Sequence, residues 1–379
     1  MALITSGKSK TVVGLDIEAG SVAATEVRAN GSVEVVGHGV LPLPSGVFRE
    51  GEVADPEALG AALKELFAEN KLSRSVRLGL ANQRVAVRSM RLPAIDDPAE
   101  LETAIRFQAQ DHIPMPLDQS VLDWQVVGHT QTDSGERYVD VVAVAARRDM
   151  LHQVMQALNA GGLRPIGIDH AAFGMIRALA REEGSAVGAG QFVSAPSPEP
   201  VVPTPDAAVA GPGVFVPARL YCNLGDVTNL AVARGSSCLF TRIAAFGVEG
   251  IAQRLAERRE LTLEHARQWL THVGLERPVE EIDGDPENVA AARECLTEGA
   301  TRLADELRLS LDYYGAQEGA VAVDRIVASG PGATIPGLVE QMQQGLGNPF
   351  SIARPTALAH LDDLAAARLT LSYGLALEQ

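Results

Sequence analysis

The sequence predicts a duplicated α/β fold, two related halves that each open on a β-hairpin, within 379 residues. Three observations carry that expectation. Residues 12–27 (VVGLDIEAGSVAATEV) and 220–234 (LYCNLGDVTNLAVAR) share one design: an apolar strand, a tight turn and a second strand. Asp16 and Asn223 precede the turns, and Ser21 and Thr228 follow them, at the same offset and with no gap. Residues 325–338 (RIVASGPGATIPGL) add an apolar strand, a Gly-rich turn and a helix start. A chain of this length also exceeds one ordinary core, so two domains are expected.

Taken in order, each second strand soon reaches another turn pair, Asn30-Gly31 or Gly235-Ser236, both good two-residue hairpin connections. Residues 38–53, with Pro42, Pro44 and Gly46, read as a loop. Asp55 caps a helix from Pro56 to about Glu69, with Leu59, Leu63, Leu66 and Phe67 on one face. Residues 76–80 alternate as a strand. Residues 86–146 look like a small inserted α+β subdomain: a strand at 86–92, a helix at 99–110, and an extended 112–116 held by two prolines. Strands at 124–128 and 138–146 complete it.

A helix at 148–159, a strand at 163–169 and a short helix at 170–181 complete the first half, 1–181. Residues 182–218 then hold no Lys or Arg and seven prolines, too little apolar surface to offset the entropy of ordering. They read as a flexible linker. The second half, 219–379, follows its hairpin with helices at 248–259 and 263–270, the latter capped by Thr262. A long helix at 289–315 with Leu296, Leu303, Leu307 and Leu311 on one stripe comes next, and a final helix at 362–377 closes the chain.

Composition excludes several functions. A formal net charge of -16 leaves no basic stripe to neutralise nucleic-acid phosphates and disfavours an anionic lipid surface. The termini show neither a signal peptide nor a spanning helix, and no run approaches about 18 uncharged apolar residues. Cys222, Cys238 and Cys295 are odd in number and lack metal-ligand spacing, so they read as buried thiols of a reducing cytoplasm. Gly7-Lys8-Ser9 resembles the end of a P-loop, but it precedes its strand and Ala2 stands where the first Gly is required.

The chemistry of the two hairpin turns suits an anion. Gly20, Gly225 and Asp226 permit turns whose successive backbone N–H groups point into one concavity. Ser21, Thr228 and Asn229 add side-chain donors on the rim. Either hairpin alone would be ordinary; two in register, half a chain apart, point to a clamp for a polyphosphate.

On these residues the chain resembles the actin-like ATPase superfamily, which includes actin, sugar kinases and FtsA. The hairpins resemble its two phosphate loops, and the Gly330–Gly332 turn with Ala333 its adenosine loop. Within the superfamily the resemblance is to the PilM family of type IV pilus assembly proteins. It rests on LPSGVFREGEVADPEAL, RSMRLPAI, HIPMPLDQSVLDWQVV, DVTNLAVARGSSCLFTRIAAFG, LRLSLDYYGAQ and the closing YGLALE. It implies two RNase H-like halves, with the insert at 86–146 placed as in FtsA rather than as in actin. It also implies ATP held by Gly20, Ser21, Gly225, Asp226, Thr228, Asn229, Gly247, Gly330, Gly332 and Ala333, with Mg²⁺ held by Asp16 through water.

Several positions depart from the family. Glu18 stands where relatives have Gly, Ala23 where Lys is common, Asn223 where active relatives have Asp, and Leu270 where a Lys is expected. Pro331 removes a backbone donor from the adenosine turn. Together these leave too little positive charge for a triphosphate and no second carboxylate for hydrolysis, so ATP and Mg²⁺ binding is expected to be weak or absent, without turnover. The resemblance further implies a cytoplasmic scaffold at the membrane face of a type IV pilus or type II secretion-like machine. It would bind the cytoplasmic N-terminal tail of a PilN-like membrane protein, with the assembly ATPases as further partners and self-association left open. The groove for that tail would lie beside Val87, Ile105, Ile113, Met115 and Leu117. An active ATPase or sugar kinase, or an FtsA-like filament former tethered to membrane, are the competing readings.

Overall fold

The computed structural model describes residues 11–29, 32–49, 51–132, 135–186, 217–317 and 319–377, with backbone alone at 181–186. Asn30-Gly31, Gly7-Lys8-Ser9 and most of the linker expected at 182–218 lie outside the described residues.

The first half begins with the meander β1 (Thr11–Glu18), β2 (Ser21–Ala29) and β3 (Val33–Pro42). β3 takes in His38–Pro42, which the sequence reading left in a loop; its backbone pairs with β2 from Ala29↔Val33 to Ser21↔Pro42. Pro42 sits at the strand's end, where a missing N–H costs no ladder bond. The short strands β4 (Phe48–Arg49) and β5 (Glu52–Val53) follow. Next comes α1 (Pro56–Glu69), capped by Asp55 through the N–H groups of Glu57 and Ala58. β6 (Ser75–Leu80) lies parallel to β1, and β10 (Arg164–His170) parallel to β6.

Between β6 and β10 the chain makes a separate three-stranded sheet. It consists of β7 (Val85–Pro93), α2 (Pro98–His112), β8 (Ser120–Gln131) and β9 (Arg137–Arg147), with strand order β7-β9-β8. β8 is far longer than the expected 124–128, because alternation continues to its ends with one face outward. The helix α3 (Arg148–Ala160) then returns the chain to β10 and ends at Gly161. α4 (Ala171–Ala186) runs past the expected end at 181.

The second half repeats the plan. β11 (Ala218–Leu224), β12 (Thr228–Arg234) and β13 (Ser237–Ala244) form a meander, followed by α5 (Val248–Arg259), α6 (Leu263–Val273) and α7 (Pro286–Gly315). β14 (Val323–Ser329) joins parallel to β11, α8 (Leu338–Leu346) follows, β15 (Phe350–Ile352) joins parallel to β14, and α9 (Asp363–Ala376) closes the fold. The two sheets have the same order, β3-β2-β1-β6-β10 and β13-β12-β11-β14-β15. The duplication read from two short stretches therefore extends to whole sheets.

α4 and α9 fill the space between the sheets. Met175, Leu179, Leu369 and Tyr373 share one buried cluster with Ala23 and Val27 of the first sheet and Tyr221, Ala231 and Val327 of the second. That position explains why α9 is buried nearly all round. At its centre the Ser372 hydroxyl meets that of Thr25 on β2 at 2.7 Å. Each large aliphatic side chain buried in such a layer contributes about 1.5–3 kcal/mol, so this shared core holds the two halves together and their two hairpin turns side by side.

Candidate functional site

The hairpin turns face one another across the junction of the halves. In the first, Glu18 pairs with Ser21, leaving the two-residue turn Ala19-Gly20. In the second, Leu224 pairs with Thr228, leaving the three-residue turn Gly225-Asp226-Val227. Asp226 reaches over both. Its Oδ2 accepts the Ala19 N–H at 2.8 Å and its Oδ1 accepts the Val227 N–H at 2.7 Å.

Other side chains complete the filling. A Cβ at Gly225 would run into Oε1 of Glu18, so that carboxylate lies against the second turn. A Cβ at Gly20 would run into the guanidinium of Arg267, which reaches from α6 over the first turn. Arg267 is held flat by Glu249 on α5, with Nε and Nη2 donating at 2.9 and 2.6 Å. Gly247, at the N-terminus of α5, lets the helix start approach so closely that a Cβ would clash with the carbonyl oxygens of Gly225 and Asp226. The Val248 N–H donates to the Gly225 carbonyl at 2.9 Å and ties the helix to the turn.

The remaining expected residues are gathered at the same place, with altered roles. The Thr228 hydroxyl donates to the Phe246 carbonyl at 2.8 Å, so it braces the turn. Asn223 receives Ser329 Oγ at 3.5 Å and closes against Gly330, joining the second turn to the third. Gly332 packs on Leu224, and the Ala333 N–H is spent inside the tight turn on the Gly330 carbonyl at 3.0 Å. Asp16, Glu18, Asp226, Asn223 and Asn229 line a cavity of only about 10 Å³, room for no more than one water. Asn229 is 1% exposed, and both polar atoms of its amide lack a partner among the described residues.

Electrostatics follow from crowding. Burial, then repulsion from Asp226, lifts the Asp16 carboxyl to about 7. Glu18 is raised well above its ordinary value by burial and by Asp226 and Asp16. Burial raises Asp226 too, against the two N–H groups that favour its charge. Sequence reasoning missed Arg267 and Glu249. Glu249, in the first turn of α5 two residues after Gly247, was the only available signal. Among the described residues no three His, Cys, Asp or Glu side chains converge as a metal site.

A second cavity, about 440 Å³, opens between the small sheet and the second half. β7 and β13 are each the edge strand of their sheet, and both line it. Its wall includes Arg84, Val87, Arg88, Met115, Arg147 and Arg242. Gln83 spans it at one end, donating to the Ile243 carbonyl at 3.3 Å. Of the expected groove residues, Val87 and Met115 line this cavity. Ile105 and Ile113 lie in the small sheet's core, and Leu117 packs at that core's margin.

Two like-ordered sheets with helices between them and three turns converging at the junction define a protein of actin-like fold. The profile of the family described as Type IV pilus assembly protein PilM matches residues 14–188 and 224–378, and the chain belongs to that family. Its fold is similar to the solved PilM-PilN type IV pilus biogenesis complex at 24% identity, covering 96% of this chain and 97% of that one, with a TM-score of 0.73. It is also similar to the ethanolamine utilization protein EutJ from Carboxydothermus hydrogenoformans: 12% identity, 97% and 89% covered, TM-score 0.50. Among the described residues no helix is long and apolar enough to cross a membrane.

Proposed function

We propose that the chain is a cytoplasmic scaffold of a type IV pilus or related secretion machine, held at the membrane face by the cytoplasmic N-terminal tail of a PilN-like membrane protein. The 440 Å³ cavity between two strand edges carries this reading. An unpaired strand edge offers a row of N–H and C=O groups to an extended peptide, and the side chains beside it select the sequence. Val87 and Met115 supply apolar contact. Arg88 donates to the backbone carbonyls of His112 and Val87 and pairs with no carboxylate among the described residues, so its charge is available to a polar tail. Taking 86–146 as an inserted subdomain, the peptide would lie between it and β13 of the second half.

Membership of the PilM family and the fold shared with the solved PilM-PilN complex support the choice of partner. The test is calorimetry with a synthetic copy of the cytoplasmic N-terminal tail of a PilN-like membrane protein. We expect binding that Val87→Asp weakens at least roughly tenfold, the loss of one buried aliphatic contact with the peptide. Unchanged affinity in a folded Val87→Asp variant would place the peptide elsewhere.

A further inference from the structure

The two turns at the junction are already liganded by the chain itself, and the arrangement disagrees with a triphosphate site. We propose that Asp226 is a built-in anion standing where a phosphate oxygen would bridge the turns, so that the halves are held closed without a nucleotide. Its carboxylate joins the N–H of Ala19 to that of Val227, a link across 207 residues made by charge-assisted hydrogen bonds. An incoming phosphate would have to break both bonds.

Space and charge exclude the alternative in which phosphate sits beside Asp226. Glu18 fills the hollow at Gly225, Arg267 covers Gly20, and the cavity left between them is about 10 Å³. Three acidic side chains, Asp16, Glu18 and Asp226, line it. The guanidinium of Arg267 is bound bidentately to Glu249. A polyphosphate entering here would lose water and meet acidic groups already crowded enough to disfavour one another's charge, whereas Asp226 brings at most one negative charge and occupies two backbone donors. The inference is independent of where a partner peptide docks.

Hydrogen exchange on the full chain tests it. In Asp226→Ala the Ala19 amide should exchange at least roughly tenfold faster, the loss expected for one hydrogen bond to a charged acceptor. Exchange within β14 should stay as it is. Asp226→Asn keeps one oxygen acceptor and should give an intermediate rate. In the unaltered protein, millimolar Mg·ATP should leave exchange in both turns unchanged and the melting temperature in place. Unaltered Ala19 exchange in a folded Asp226→Ala protein would overturn the proposal. So would new protection of the turns by Mg·ATP in the unaltered chain, a measurement that decides the matter even if the alanine variant does not fold.

Discussion

The two hairpins have the same strand order and different turns. Asp16 lies across from Ala23 in the first, while Asn223 lies across from Asn229 in the second. The equal spacing of Asp16–Ser21 and Asn223–Thr228 therefore hides a one-residue difference in turn length. The shorter turn offers an N–H from Ala19; the longer one offers a carboxylate from Asp226. Duplication kept the backbone plan and let the two turns become donor and acceptor to one another. A clamp with two like jaws needs a ligand between them, and a clamp with complementary jaws does not.

The two turns should differ most at the second turn's support. Gly247→Ala would place a Cβ against two backbone carbonyls, of Gly225 and Asp226, that cannot rotate aside. We expect a loss of about 3 kcal/mol in chemical denaturation, the upper part of the overpacking range. Gly20→Ala makes the matching change in the first turn but meets only the end of Arg267, a side chain that can swing away. It should cost about 1 kcal/mol. Equal losses in the two variants would show that the turns are braced alike.

Next in size is Arg267→Ala. Glu249 is 8% exposed, and without its partner it becomes a buried, unpaired carboxylate beside Asp226. Breaking a fully buried pair costs about 3–5 kcal/mol, and with Arg267 partly open to solvent about 2 kcal/mol is expected. Adding Glu249→Gln should recover part of that loss, measured as a double-mutant cycle. Full additivity of the two changes would mean that the pair contributes nothing.

Local chemistry made most of the frame legible. Asp55, Thr262 and Asp362 cap the helices they were expected to start, because a capping side chain bonds to N–H groups two or three residues away. α5 keeps its expected bounds, Val248–Arg259. The site was legible as a place and less so as a mechanism. Asp226 was identified as a turn residue, but its reach to Ala19 depends on how the halves dock, which no local pattern encodes. Arg267 belongs to an ordinary amphipathic helix and joins the junction only because Gly20 lies beneath it. Ile105 and Ile113 show the same limit from the other side. Their apolar character fits a groove and a core equally well, and only packing decides; here both are core residues.

The smallest expected effect comes from making the second hairpin resemble the first at one position. Asn229 occupies the place across from Asn223 that Ala23 occupies across from Asp16. Its amide is buried with no partner among the described residues, so no hydrogen bond from them offsets its desolvation. The adjoining cavity admits at most one water, which can satisfy part of the amide but not all of its bonding capacity. Asn229→Ala removes that polar group and a few side-chain contacts together, and the two terms oppose each other. The net change in unfolding free energy should stay below about 1 kcal/mol, with the Ala19 amide still protected because Asp226 is untouched. A loss of several kcal/mol would mean that Asn229 is a working member of the junction's hydrogen-bond network, and the second turn would then differ from the first by two functional residues instead of one.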